Sequence, residues 1–324
     1  MITGSEEPYG FYQEGRTGDG QRQVLTLELG PGTRLRLVRI PAGTFRMGSP
    51  SSEAGRLEDE TPHAVTIPED FWLGQCQVTC GQFRAFVSGT GYRPASETTG
   101  GWGYDRESGR IQGRRPAFSW RSVGYEQTDD HPVMNVSWHD ADRFCCWLAR
   151  RTGLDVRLPA EAEWEYACRA GSTTRFSSGD DPESLAHVAN VADGTAARMR
   201  AAFPQWTEWI RSEDGYVFSA PVGSFLANRF GINDMHGNVW EWCRDWYGPY
   251  GAVPARSHRV IRGGGFGKRT PQLCSSARRA GSGPDRLDID LGFRVALYPD
   301  STDVLPGDPR GTWTPPSGPS RIGL

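Results

Sequence analysis

No stretch of this 324-residue chain approaches the roughly 18 consecutive apolar residues that a membrane-spanning helix needs. No block of like charges stands out, and a net charge of −3 lacks the basic excess of a nucleic-acid-binding surface. The first twenty residues are polar and lack the apolar stretch of a secretory signal. These absences predict a cytoplasmic protein with neither membrane nor nucleic acid as partner.

Familiar catalytic signatures are missing too. The cysteines are Cys76, Cys80, Cys145, Cys146, Cys168, Cys243 and Cys274, odd in number and without a Cys-x-x-Cys pair. In the cytoplasm they would stay reduced. The histidines (His63, His131, His139, His187, His236 and His258) form neither His-x-His nor His-x-x-x-His. A metal triad from them would need convergence in the fold. A Gly-x-Ser-x-Gly nucleophile turn is also absent.

One stretch does suggest phosphate binding, GGGFGKRTPQLCSSARR at 263–279. A phosphate loop requires Ser or Thr after its Gly-Lys, but Arg269 follows Lys268, and Arg262 stands where the first glycine belongs. Nucleotide binding is therefore rejected.

The chain does contain 41 glycines and 23 prolines, about a fifth of its length. That exceeds the usual share of roughly 12% but stays below the level of disordered chains. With twelve tryptophans, the composition predicts a loop-rich fold pinned by aromatic packing. Residues 23–49 alternate apolar and polar residues and break at Gly30-Pro31-Gly32, a hairpin signal. Three short amphipathic helices follow. One starts at Thr79 with Gln82 as capping partner and ends near Gly89. The second starts at Ser137 with Asp140 and stops at Gly153. The third opens with Pro159 in its first turn and ends at Gly171. Strand-like pieces lie at 229–235, 239–247, 259–265 and 291–297. Trp240, Trp242 and Trp246 are expected to pack on the two faces of one strand.

Loops with carboxylates and exposed carbonyls suit calcium, which prefers oxygen ligands. GINDMHGNVWEWC carries Asp234, Gly237 and Glu241, while ANVADG and SEDGY carry Asn190 and Asp214. Calcium and an ordinary turn remain alternatives on spacing alone.

Several blocks together resemble the formylglycine-generating enzyme, or sulfatase-modifying-factor, family. They include IPAGTFRMGSP, EDETPHAVTI, HPVMNVSWHDADRFCCWLARRTG, RLPAEAEWEYACRAG, PVGSFLANRFGINDMHGNVWEWCRDWY, RVIRGGG and LGFRVAL, in the family's order. The resemblance implies an α+β, formylglycine-generating-enzyme-like (C-type-lectin-related) single domain with little regular secondary structure. The expected limits are a polar lead-in at 1–24, the domain at 25–298 and a Pro/Gly-rich tail at 299–324. It makes the glycines at 263–265 a strand-to-loop turn beside the tryptophan cluster. It also implies structural Ca2+ on two loops. One would use Asn190, the Val191 carbonyl, Asp214 and the Tyr216 carbonyl. The other would use Asp234, the carbonyls of Gly237 and Val239, and Glu241.

The catalytic pattern departs from the family. Its oxidising members bind copper(I) through two cysteines five positions apart, and soft thiolates suit that ion. This chain has Cys274 alone, with Arg269 five residues before it. Formylglycine generation by that route is not expected, and Cys274 reads as a small buried hydrophobe or, less simply, as a reactive catalytic thiol. The favoured role is a binding or accessory module, such as a retroelement-type variable protein. Its protein or small-molecule ligand would meet a 266–290 face through Phe266, Lys268, Arg269, Gln272, Arg278, Arg279, Asp285 and Arg286. The alternative is an oxygen-dependent copper or non-heme iron enzyme, its iron drawn from His63, His139 or His236.

Overall fold

The alternation around Gly30-Pro31-Gly32 becomes a hairpin whose two arms each turn leucines to one face. The computed structural model describes residues 12–16, 22–199, 202–204, 207–267 and 270–298. It begins with strands β1 (Tyr12–Arg16), β2 (Gln23–Gly30), β3 (Thr33–Ile40), β4 (Gly43–Met47), β5 (His63–Ile67) and β6 (Phe71–Gly74). Helices α1 (Cys80–Thr90) and α2 (Ala95–Thr99) precede the hairpin of β7 (Gly101–Asp105) and β8 (Arg110–Arg115). Next come α3 (Trp138–Thr152), β9 (Asp155–Arg157), α4 (Glu161–Arg169) and α5 (Gly194–Ala197). The last strands are β10 (Trp240–Trp246), β11 (Arg259–Arg262), β12 (Arg279–Ser282), β13 (Leu291–Gly292) and β14 (Ala296–Tyr298).

A six-stranded sheet runs in the order β1-β2-β3-β6-β14-β9, and a four-stranded sheet in the order β12-β11-β10-β13. The central strands of the larger sheet are buried on both faces. Leu25, Leu27, Leu35 and Leu37 pack with Phe83 of α1, Phe144 of α3 and Phe293. Val24, Val38, Ile40 and Leu73 face the other way, toward Trp164 of α4 and Val260. This two-sided burial follows from the period-2 geometry of β3, whose neighbouring Leu37 and Val38 are both fully buried.

The helix starts follow local chemistry. The Thr79 hydroxyl accepts from the Gln82 amide, and the Gln82 side chain accepts from the Thr79 amide. Ser137 and Asp140 repeat this arrangement for α3. Such caps each contribute about 1 kcal/mol. Gly153 ends α3 at φ 71° as expected. The end of α1 lies at Gly91, two residues beyond Gly89, and α4 ends at Ala170 with φ 45° instead of at Gly171.

Other expectations need correction. Part of the polar lead-in forms a strand, since Tyr12–Arg16 pairs antiparallel with β2. The stretch 229–235 is a loop, not a strand. The Asn228 side chain accepts from the amides of Phe230 and Ile232, and Asp234 adopts φ 59°, which pleated backbone does not allow. The strand expected at 291–297 is split between the two sheets. Trp240 and Trp242 are buried, while Trp246 is half-buried and stacks on Arg259.

Candidate functional site

The glycine-rich turn lies where β11 leaves the smaller sheet. Gly263 (φ 95°) faces the Trp164 ring, and a Cβ there would stand 3.1 Å from it. Gly264 (φ 75°) faces Cys274, and a Cβ would stand 2.4 Å from its sulfur. Close approach explains the glycines, because left-handed backbone and a side-chain-free surface are needed together. Cys274 itself is 1% exposed.

Beneath the turn lies a chain of buried ion pairs. Arg262 binds Glu165 and also donates to the carbonyls of Ser276, Ala277 and Arg278. Arg279 makes a bidentate pair with Glu161 at 2.7 and 2.8 Å and stacks over Tyr250 at 4.0 Å. His236 donates from Nδ1 to the Cys274 carbonyl (2.8 Å), while its Nε2 accepts from the Ser177 amide (3.0 Å). Burial pushes the His236 imidazole down to about 4.

These facts revise the 266–290 contact face. Phe266 is buried among Phe203, Phe218 and Tyr125, so it packs the core and faces no ligand. Arg279 is likewise internal, held by Glu161. Arg278 is half-buried, 3.8 Å from Glu60, and Gln272 is half-buried as well. Asp285 and Arg286 are exposed, with Arg286 paired to Asp288 and lying over Trp102. Lys268 and Arg269 lie outside the described residues. The burial of Cys274 agrees with its reading as a small apolar filler and keeps a reactive thiol from reaching solvent.

The two loops expected to hold calcium are brought together. The Asn190 carbonyl accepts from the Asn238 amide at 2.7 Å, and a Cβ on Gly237 would stand 2.1 Å from that carbonyl oxygen. In the first loop, Asn190 Oδ1 and Asp214 Oδ2 are buried without a hydrogen-bond partner. Burial, with the Asp193 carboxylate alongside, pushes Asp214 up to about 7. Asp193 Oδ2 accepts from the Asp214 amide and so joins the two segments, and their orphaned oxygens suit a hard cation. In the second loop Asp234 Oδ1 is orphaned, while Oδ2 accepts from the Gly223 amide. Burial pushes Asp234 up to about 6. Glu241 is placed differently. Its carboxylate accepts from Arg294 at 2.5 and 2.6 Å, from Gln77 at 3.0 Å and from the Trp164 ring nitrogen at 2.7 Å. Four donors fill its lone pairs, so Asp234 is the side chain in this loop with an oxygen to spare.

The histidines considered for iron remain apart. His63 packs on Tyr250, His139 is exposed beside Asp285, and His236 is enclosed as described. Among the described residues, no three His, Cys, Asp or Glu side chains gather as a metal-holding group.

Next to Arg279 the surface opens into a recess of about 560 Å³, lined in part by Glu58, Asp59, Thr61, His63, Pro249 and Tyr250. Asp59 accepts from the Tyr247 hydroxyl, which ties the recess to the end of β10. Sequence reading passed over this site because its halves are nearly two hundred residues apart. The DET motif at 59–61 was the only local sign of it.

A mixed α+β scaffold whose sites are built from loops over two sheets is the class defined here. The chain belongs to the formylglycine-generating enzyme family, since the model for the Sulfatase-modifying factor enzyme 1-like domain matches residues 30–298. It is 32% identical to the formylglycine-generating enzyme of Thermomonospora curvata over 307 residues, covering 81% of this chain and 93% of that protein. It is 28% identical to the inactive C-alpha-formylglycine-generating enzyme 2 of Bos taurus, covering 83% and 90% of the two chains. Among solved structures, PvdO from Pseudomonas aeruginosa is similar at a TM-score of 0.64 and 32% identity, with 81% of this chain and 94% of that one covered.

Proposed function

We propose that this family member binds a ligand and does not make formylglycine through a pair of copper-binding cysteines. The observation that carries this reading is the packing of Cys274, 1% exposed, against Gly264. It is also the only cysteine between the glycine turn and the end of the domain. A single enclosed thiol offers neither two soft ligands to copper(I) nor access to a substrate cysteine.

In this reading the binding place is the recess beside Tyr250. Glu58 and Asp59 supply negative charge, while the Tyr250 and His63 rings supply aromatic faces. That combination favours a ligand carrying a cationic group. Two calcium ions would hold the supporting loops, one on Asn190, Asp214 and the carbonyls of Val191 and Tyr216, the other on Asp234 and the carbonyls of Gly237 and Val239. Bound calcium would contribute structural cross-linking of loops and no electron transfer.

The test is to incubate the protein, after copper(I) loading and desalting, with a sulfatase-derived cysteine peptide under oxygen. The expected result is no aldehyde by mass spectrometry and no stoichiometric copper. Aldehyde formation lost in Cys274→Ala would overturn the reading. Calorimetric titration with arginine amide, repeated on Glu58→Gln, then tests the recess. Binding that ignores this substitution would remove the cationic-ligand assignment.

A further inference from the structure

Helices α1 and α3 pack through Phe86 and Phe144 and leave a groove on their outer side. Its floor is aromatic. Phe86 lies 5.2 Å from the Tyr92 ring and 5.5 Å from the Trp147 ring, centroid to centroid. The Tyr92 hydroxyl donates to Asp140 at 2.8 Å, which fixes that ring. The cavity measures about 190 Å³ and is flanked by Arg143 and Arg150. Among the described residues, no salt bridge joins either arginine. The neighbouring carboxylate, Asp142, sits in the field of Arg259 and contacts Cys146. The groove thus pairs a rigid apolar floor with two guanidinium groups that no salt bridge among the described residues holds.

We propose that this groove docks an acidic segment of a protein partner, which inserts one ring-sized apolar side chain between two carboxylates. Size selects the anchor. A dry cavity of about 150 Å³ takes a benzene-sized group, whereas whole small-molecule sites occupy roughly 300–1,000 Å³. Charge selects its flanks. Arg143 and Arg150 are seven positions apart on one helix, about 10 Å along the axis. Alternate residues of an extended peptide share one face, and two that lie four positions apart span about 13 Å, within reach of the long arginine side chains. The matching pattern is acid, any residue, ring, any residue, acid.

The experiment titrates acetyl-Glu-Ser-Phe-Ser-Glu-amide into the full-length protein by NMR. Saturable binding is expected, weakened about tenfold or more by the double substitution Arg143→Glu, Arg150→Glu, as loss of two charge contacts predicts. The peptide acetyl-Lys-Ser-Phe-Ser-Lys-amide should show the reverse preference. Arg150 is exposed and Arg143 half-buried, and an unchanged thermal midpoint of the double variant verifies its fold. Equal affinity for both proteins, or no saturation, overturns the proposal. Phenylacetate binding as tightly as the peptide overturns it in favour of a small aryl acid. A dimer in light scattering that the double substitution dissolves overturns it in favour of a second copy of this chain.

Discussion

Gly264 and Cys274 occupy one space from opposite ends of the same loop, so that a carbon added to the glycine would lie 2.4 Å from the sulfur. This contact accounts for both the glycine run and the lone cysteine that follows it.

Gly264→Ala should therefore be destabilising by about 2–4 kcal/mol, combining left-handed backbone strain with overpacking. Urea denaturation measures this. Combining it with Cys274→Gly should recover part of the loss, because the steric component is removed and the backbone component is not. A loss below about 0.5 kcal/mol would show that the turn is not rigidly packed.

Arg279 and Arg286 lie seven residues apart and should behave oppositely. Arg279→Ala removes the bidentate partner of the buried Glu161 and leaves it only the more distant Arg262 at 3.8 Å, a loss of about 3 kcal/mol. Arg286→Ala removes an exposed pair with Asp288 and should stay within about 1 kcal/mol. Thermal unfolding of both variants decides the matter, and similar midpoints would contradict the assigned burial.

Calcium should raise the thermal midpoint at pH 7.5, and a chelator should lower it. An ion present at a hundred times its dissociation constant adds about 2.7 kcal/mol. Asp214→Asn should reduce the response. Protons compete with the ion for a carboxylate that burial has pushed up to about 7, so the calcium effect should shrink as pH falls below 7. A midpoint indifferent to calcium and chelator at pH 7.5 would remove the ion from the first loop.

His236 sets an acid limit. Its value falls from an ordinary 6.5 to about 4 because burial disfavours the charged ring. The unfolded chain then binds the extra proton first. The stabilising contribution is complete above pH 6.5 and is lost as pH falls through the range down to about 4. Stability measured by urea from pH 7.5 to 4 should decline across that window. In His236→Gln the slope there should be shallower, whatever the stability at pH 7.5. An unchanged slope would place the acid sensitivity elsewhere.

The parts of the fold legible in the sequence were those fixed by neighbours along the chain. Thr79 with Gln82, and Ser137 with Asp140, announce helix starts because a cap is complete within four residues. Gly30-Pro31-Gly32 announces its hairpin in the same way. Tyr12–Arg16 gave no such sign, because YQEGR has no apolar alternation and owes its strand form to pairing with β2. The loop at 229–235 looked strand-like from its side chains, but Asn228 dictates its backbone.

The candidate sites divide along the same line. Asn190, Asp214 and Asp234 were visible as loop oxygens, and each retains a buried oxygen without a partner. Arg279 resembled a surface contact because its partner, Glu161, lies 118 residues away. Phe266 misled for the same reason, since the rings around it come from three distant loops. Glu241 looked like an ion ligand, yet Arg294, 53 positions on, saturates it. The recess at Tyr250 and the groove at Trp147 arise from tertiary packing that periodicity does not encode.

The placement of β13 and β14 bears on how the molecule is made. Within eight residues the chain adds an edge to one sheet, passes Arg294 through the interior, and fills the gap between β6 and β9 in the other. A ribosome extruding this protein therefore releases almost the entire domain before either sheet can close. A nascent chain stopped short of residue 291 would expose Leu73 and Val156 along open strand edges. Such a chain would rely on chaperones until its final strands emerged.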